Sequence, residues 1–426
     1  MTATAVDDRS LISHTGLWYF PIAFLARLPF AMMVVGVLTL VVSVRGSVAL
    51  GGLTSAAVGI GTVIAGPLVG DAVDRLGQRR VLVPLGLVNG ALLIAFPFVA
   101  SSNLVDGMLL TAAFLIGLSA PQAAAMSRSR MMTIIRDRLS PHRRIRTFSR
   151  SMAYESAADE TAFVIGPVVV GILASFIAPW VPIAAAAVLS LVFVTAFALH
   201  PTARVSTSHG ESVAEMAPAR DLLRAPVLVL VAATFAVGMF FGSTLTSLTA
   251  FMSERNDVDA ASLMYGVMGI GSAVLALAVA VLPTRFALRW RWMLFAGVLA
   301  ASALGFALSD AVGGVTLMLA VMGLGVGPTL VTLYSLAGQR SPVGRSATIM
   351  TVLGSAVALS QSLSAAVTGA VAEAVGARTA MVLPFLAAGV VVGLGVLNLV
   401  IERRARRAPV GSLEVPRALE CPRPVG

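Results

Sequence analysis

Uncharged apolar runs about twenty residues long recur along the whole chain, and they limit its possible folds more than any other feature. A helix needs about 20 such residues to cross the hydrocarbon of a bilayer. Twelve runs qualify, at 17–42, 48–73, 80–100, 104–127, 147–178, 181–199, 225–252, 262–284, 291–309, 312–337, 343–375 and 378–401. Composition agrees with this reading. Hydrophobic residues make up 58% and charged residues 12%, where soluble domains average about 45–50% and about 25%. The prediction is an all-α membrane protein of twelve transmembrane helices.

The few charges orient it. All 30 basic residues are arginine. If the N-terminus is inside, 26 arginines fall in inside segments, Arg45, Arg255 and Arg378 fall outside, and Arg27 lies within the first span. That asymmetry predicts cytoplasmic N- and C-termini. It also accounts for the net charge of +10 by anchoring to anionic headgroups rather than by nucleic acid. The polar stretch between spans six and seven divides the chain. The expected parts are a cytoplasmic N-terminus (1–16), a six-helix bundle (17–199), a cytoplasmic linker (200–224), a second six-helix bundle (225–401) and a disordered cytoplasmic tail (402–426). Six helices, a linker and six more suggest a duplication. Glycines four apart, such as Gly66 and Gly70 or Gly323 and Gly327, predict close helix packing.

Several chemistries are excluded. Without lysine there is no P-loop lysine and no Schiff-base lysine. Cys421 is the single cysteine, so no intrachain disulfide forms. The polar first fifteen residues, with Asp7 and Asp8, lack the layout of a cleavable signal. No metal-ligand cluster, nucleophile elbow or nucleotide loop is visible, so no cofactor, metal or enzymatic activity is expected.

The connection between spans two and three reads GDAVDRLGQRRVL, residues 70–82. Gly77 permits a tight turn, and Asp74 is placed to pair with arginines at the start of span three. Gly70, Asp74, Arg75, Gly77, Arg79 and Arg80 resemble the signature loop of the major facilitator superfamily, with Gln78 where a basic residue is usual. The resemblance implies a latch that joins the two halves on the cytoplasmic side. In span five, Gly166, Pro167 and Gly171 resemble the Gly-Pro motif of antiporters in that superfamily. The motif implies a hinge or seal; an ordinary proline kink is the alternative. Stretches at 26–32, 127–131, 154–167 and 354–371 resemble actinobacterial 12-helix drug:proton antiporter-type exporters, which implies a multi-pass protein of the plasma membrane, acting as a monomer.

Span five carries three acids, Glu155, Asp159 and Glu160. Glu155 and Asp159 share a helix face, and Glu160 is turned about 100° from Asp159. A buried charge in lipid is costly and needs a partner. At comparable depth, Arg27 has only these acids. Arg27 is expected to pair with Asp159 or Glu160, and Glu155 to pair toward Arg128 or Arg130. The carboxylate left over could carry a proton as the cavity changes sides. The alternative is a purely structural ion-pair knot.

By the superfamily's layout, Phe30, Met33, Gln122, Phe241, Thr244, Thr329 and Tyr334 would line the cavity. That wall suits a small apolar or amphipathic substrate. The reading is a secondary transporter, proton-coupled and exporting by alternating access. The alternatives are a proton symporter that imports a nutrient and a non-transporting membrane scaffold or sensor.

Overall fold

Lipid offers no hydrogen-bond partners, so a chain crossing it must satisfy its backbone internally. The computed structural model of this chain meets that demand with helices. It describes residues 11–407 apart from 47, 103, 204–216, 256–257, 280–281, 283–285 and 343. The helices of the first half are α1 (Leu11–Thr15), α2 (Tyr19–Leu25), α3 (Leu28–Arg45), α4 (Val48–Leu76), α5 (Gln78–Ser101), α6 (Asp106–Leu118), α7 (Ala123–Arg138), α8 (Pro141–Phe176), α9 (Val181–Leu189) and α10 (Thr195–Leu199). A π-helical turn, Ser190–Val194, joins the last two. Those of the second half are α11 (Ala225–Ser253), α12 (Val258–Ala278), α13 (Leu288–Leu308), α14 (Val312–Arg340), α15 (Ser346–Val375), α16 (Ala377–Ala380) and α17 (Leu383–Arg407).

Eleven helical stretches among the described residues are long and apolar enough to cross a membrane. The expected eighth span, 262–284, corresponds to α12, whose apolar part Met264–Ala278 is shorter. Four expected spans are not single α-helices: the sixth contains the π-helical turn, the twelfth is divided at 381–382 between α16 and α17, and the first and fourth are broken as follows. The first breaks at residues 26–27, because Pro29 in the first turn of α3 has no N–H to continue the ladder. The fourth breaks at 119–122, around Pro121, and restarts as α7. The fifth starts at Pro141, six residues earlier than expected. The tail expected from 402 remains helical to Arg407, and 408–426 lie outside the described residues.

Within each half the helices pack mainly on one another; between halves, α4 runs along α15 and α8 along α12. Glycine pairs four apart lie at helix contacts, except one pair on α17. Gly66 and Gly70 face Ser355, Thr351 and Thr348; Gly238 and Gly242 face α15; Gly323 and Gly327 face α12; Gly389 and Gly393 face open space. One contact repeats in both halves. Arg45, at the end of α3, donates to Ala100 O (2.9 Å) and Ser102 O (2.6 Å) just past α5. Arg255, just past α11, donates to Asp310 O (3.1 Å) just past α13. Each arginine thus satisfies carbonyls at a helix C-terminus, where a cation is favoured.

The tightest crossing inside the first half is α4 over α6. A β-carbon on Gly117 would overlap Val58 O, and one on Gly61 would overlap Phe114 O. Backbone atoms cannot step aside as a side chain can. Gly117→Leu is therefore expected to destabilise the protein by about 3 kcal/mol or more, the upper part of the overpacking range. Thermal unfolding of the detergent-purified protein, followed by size-exclusion chromatography, checks it.

Candidate functional site

The break between α2 and α3 places Arg27 at the N-cap position of α3, inside the first half. Its guanidinium is buried, and three groups share it. Nη1 donates to Ala23 O at 2.7 Å, a carbonyl near the end of α2. Nε donates to Asp159 Oδ1 at 2.7 Å, and Nη2 pairs with Glu155. Glu155 and Asp159 lie four apart on α8, so both carboxylates present to the same neighbours. The Arg27–Asp159 contact matches the pairing inferred from depth.

The other pairing differs. Glu155 pairs with Arg27 and not with Arg128 or Arg130; Arg128 instead pairs with Asp159, with Nη2 at 2.5 Å from Oδ2. Glu155 also accepts from Ser127 Oγ at 2.8 Å, and that hydroxyl contacts Tyr19 Oη at 2.8 Å. Arg128 and Arg130 follow the expected end of span four at 127, but α7 carries both into the interior, at 3% and 0% exposure. Among the described residues, Arg130 pairs with no carboxylate. It donates to Gln78 Oε1 through Nε (2.9 Å) and Nη2 (2.7 Å), and through Nη1 to Phe197 O and Thr202 Oγ1. Gln78, the departure from the family's loop, is thus the acceptor of a buried guanidinium. The side chain of Glu160 lies outside the described residues. The described network is consequently balanced, with Arg27 and Arg128 against Glu155 and Asp159. It also crosses between halves, because the Arg128 guanidinium lies over the Tyr334 ring of α14, 3.9 Å from its centroid.

Glu155 is 0% exposed, yet it lines the inner end of a cavity of about 630 Å³. Exposed His142 and Arg150 line the same cavity. The cavity thus extends from the arginine-rich end of the bundle toward the buried carboxylate without exposing it.

The second cluster lies at that end too. Gly77 adopts φ +84°, which only glycine takes without strain, and so turns the chain from α4 into α5. Asp74 does not pair with the arginines of span three. It accepts from Ala347 N (3.0 Å), Thr348 N (2.8 Å) and Thr348 Oγ1 (2.7 Å), at the N-terminus of α15 in the other half. Free N–H groups and the positive end of the helix dipole favour a carboxylate there. Asp71 pairs with Arg345 just before α15 and with Arg75 at 2.7 Å. Arg79 and Arg80 are exposed. Asp71, Arg345 and Thr348 were not singled out in the sequence; Arg345 directly before a helix start was the available signal.

The remaining sites are mixed. Gly166 packs against Ala31 of α3, Gly171 faces open space, and the side chain of Pro167 lies outside the described residues. The helix α8 continues through the motif. Met33 is fully buried in the first half's core, and Phe30 meets Phe163 edge to face. Thr244 and Thr329 donate their hydroxyls to their own helices, at 2.7 and 2.8 Å. Phe241 is buried against Phe240. The buried amide nitrogen of Gln122 has no hydrogen-bond partner among the described residues.

Comparison with known proteins agrees with this architecture. No curated protein matches the chain. Among solved structures, a bacterial homologue of the iron transporter ferroportin in an outward-facing state superposes with TM-score 0.70 at 13% identity, covering 89% of this chain and 98% of that one. The human organic anion transporter MFSD10 (TETRAN) gives 0.69 at 16%, covering 92% and 100%. The proton:xylose symporter XylE gives 0.65 at 14%, covering 92% and 96%. Identities this low show the fold alone. The family model of the Major Facilitator Superfamily, however, matches residues 19–365, most of the chain. With its helices, its membrane-spanning lengths and that match taken together, the chain belongs to the Major Facilitator Superfamily.

Proposed function

We propose that the protein is a proton-coupled exporter of a small apolar or amphipathic molecule, working by alternating access as a monomer in the plasma membrane. It has twelve spans, counting α12, with both termini and the Asp74 end in the cytoplasm. One observation carries the coupling: the balanced Arg27–Glu155–Asp159–Arg128 network, with a cavity extending toward it and a contact to the second half at Tyr334. A proton added to either acid leaves one buried guanidinium without its counter-charge. Such a charge is costly in a low-dielectric interior. The network then relaxes by moving Arg128 away from Asp159, and that movement shifts its contact with Tyr334. Occupancy by a proton and the packing of the halves are thereby linked. The latch from Asp71 and Asp74 to α15 supports a state closed on the cytoplasmic side.

The test uses inside-out vesicles from a strain lacking its own exporters, with a panel of lipophilic compounds first screened by growth inhibition. Compound-induced collapse of a pH gradient reports exchange. Asp159→Asn and Glu155→Gln are expected to reduce it at least tenfold at normal protein abundance. Undiminished exchange in both variants overturns the coupling role. Accumulation in the opposite direction would instead assign the protein to the proton symporters.

A further inference from the structure

A cleft of about 870 Å³ opens at the end we assign to the cytoplasm, between the two halves. Five arginines line it: Arg136, Arg144 and Arg146 from the first half, Arg289 and Arg291 from the second. Two carboxylates line it as well, and both are already engaged. Asp74 is held by the start of α15, and Glu402 accepts from Arg340 at 2.7 Å. Two of the arginines are also engaged: Arg136 pairs with Asp137 at 2.9 Å, and Arg291 donates Nε to Phe286 O at 2.8 Å. Arg289 lies 3.7 Å from Glu402, and Arg144 gives its Nε to Leu139 O. Arg146 is exposed and has no partner among the described residues. Retention of arginines on the cytoplasmic side explains their number. It does not explain why they converge from two halves on one concavity, where like charges repel.

Apolar side chains line the cleft beside the arginines: Phe148, Leu282, Phe286 and Met132. Guanidinium groups grip phosphate oxygens in a forked, charge-assisted geometry. An apolar wall beside such a grip suits a ligand with a tail. We propose that this cleft binds an amphiphile whose phosphate head carries a net negative charge, its head among Arg144, Arg146 and Arg289 and its apolar part against Phe148 and Phe286. Because the guanidiniums belong to α8 and α13, the bound head ties one half to the other beside the Asp74 latch. The site is separate from the buried ion pairs and does not depend on which molecule is carried.

An anionic phospholipid of the inner leaflet carries such a head, and the test separates it from a soluble phosphate. The purified full-length protein in detergent is titrated calorimetrically with dihexanoyl phosphatidylglycerol, dihexanoyl phosphatidylcholine and inorganic phosphate, with thermal unfolding followed in parallel. Phosphatidylglycerol is expected to bind and to raise the unfolding temperature. Its Kd should rise at least tenfold in Arg146→Gln and in Arg289→Gln, and stay unchanged in Arg404→Gln, an exposed position on α17 outside the cleft. Inorganic phosphate binding equally tightly, with the same dependence on Arg146, would show a plain anion site and overturn the amphiphile. Equal binding of phosphatidylcholine, an equal loss in Arg404→Gln, or no loss in Arg146→Gln overturns the proposal. Arg146 has no described partner to lose, so its substitution remains decisive even if Arg289→Gln disturbs Glu402.

Discussion

Arg27→Leu is expected to cause the largest loss of stability of any single substitution in this chain. The guanidinium holds Glu155, Asp159 and Ala23 O at once. Asp159 would keep Arg128, but Glu155 would keep only the Ser127 hydroxyl. Removing one partner of a buried ion pair typically costs about 3–5 kcal/mol. Membrane abundance should fall sharply, and the surviving protein should unfold at a lower temperature. Arg27→Lys should recover only part of the loss, because an ammonium cannot spread three donors across two helices as a planar fork does. Arg27→Leu combined with Glu155→Leu removes both buried charges and should restore most of the stability. The same double variant should still fail to couple. If it exchanges compounds for protons at the native rate, the network is a structural knot, and the carrier of the proton lies elsewhere.

The two clusters were legible to different depths. Span lengths followed from apolar runs, because lipid selects length and hydrophobicity directly. Depth was also readable, so the partner of Arg27 could be narrowed to Asp159 or Glu160, although its second pair, with Glu155, was not foreseen. The partner of Asp74 could not. It accepts from residues more than 270 positions away, and only the docking of α4 on α15 brings them together. Arg128 and Arg130 misled for a related reason. A run of arginines after an apolar stretch reads as an inside segment between spans, yet the break near Pro121 restarts a helix that carries both inward. Gln78 looked like a weakened position, whereas its amide satisfies Arg130 where a basic residue would have repelled it. Thr244 and Thr329 looked like cavity donors; threonine in a helix commonly returns its hydroxyl to a carbonyl four residues back.

The second large effect is expected at the latch. Asp74→Ala deprives Ala347 N, Thr348 N and Thr348 Oγ1 of their acceptor. Hydrogen bonds to a charged group contribute about 1.5–3 kcal/mol each, but water replaces them when the halves separate. A net loss of roughly 3 kcal/mol for the closed arrangement is reasonable, and each 1.4 kcal/mol is about tenfold in an equilibrium. Opening on that side should therefore rise by about a hundredfold. A buried thiol reports it: Ser335→Cys lines the cleft beside the latch, in a Cys421→Ser background. Its labelling by a charged maleimide in inside-out vesicles should accelerate strongly with Asp74→Ala and less with Asp74→Asn, which keeps an acceptor oxygen but loses the charge. Arg345→Ala should fall between the native protein and Asp74→Ala, since it breaks the pair with Asp71 and the contact to Ala217 O at 3.0 Å. Gly70→Val separates electrostatics from packing, because its side chain would collide with Thr348 and Thr351 while Asp74 keeps its charge. Fast labelling in Gly70→Val together with native-rate labelling in Asp74→Ala would mean that helix contact alone closes this end. The opposite pattern would place closure in the carboxylate and the helix terminus it caps.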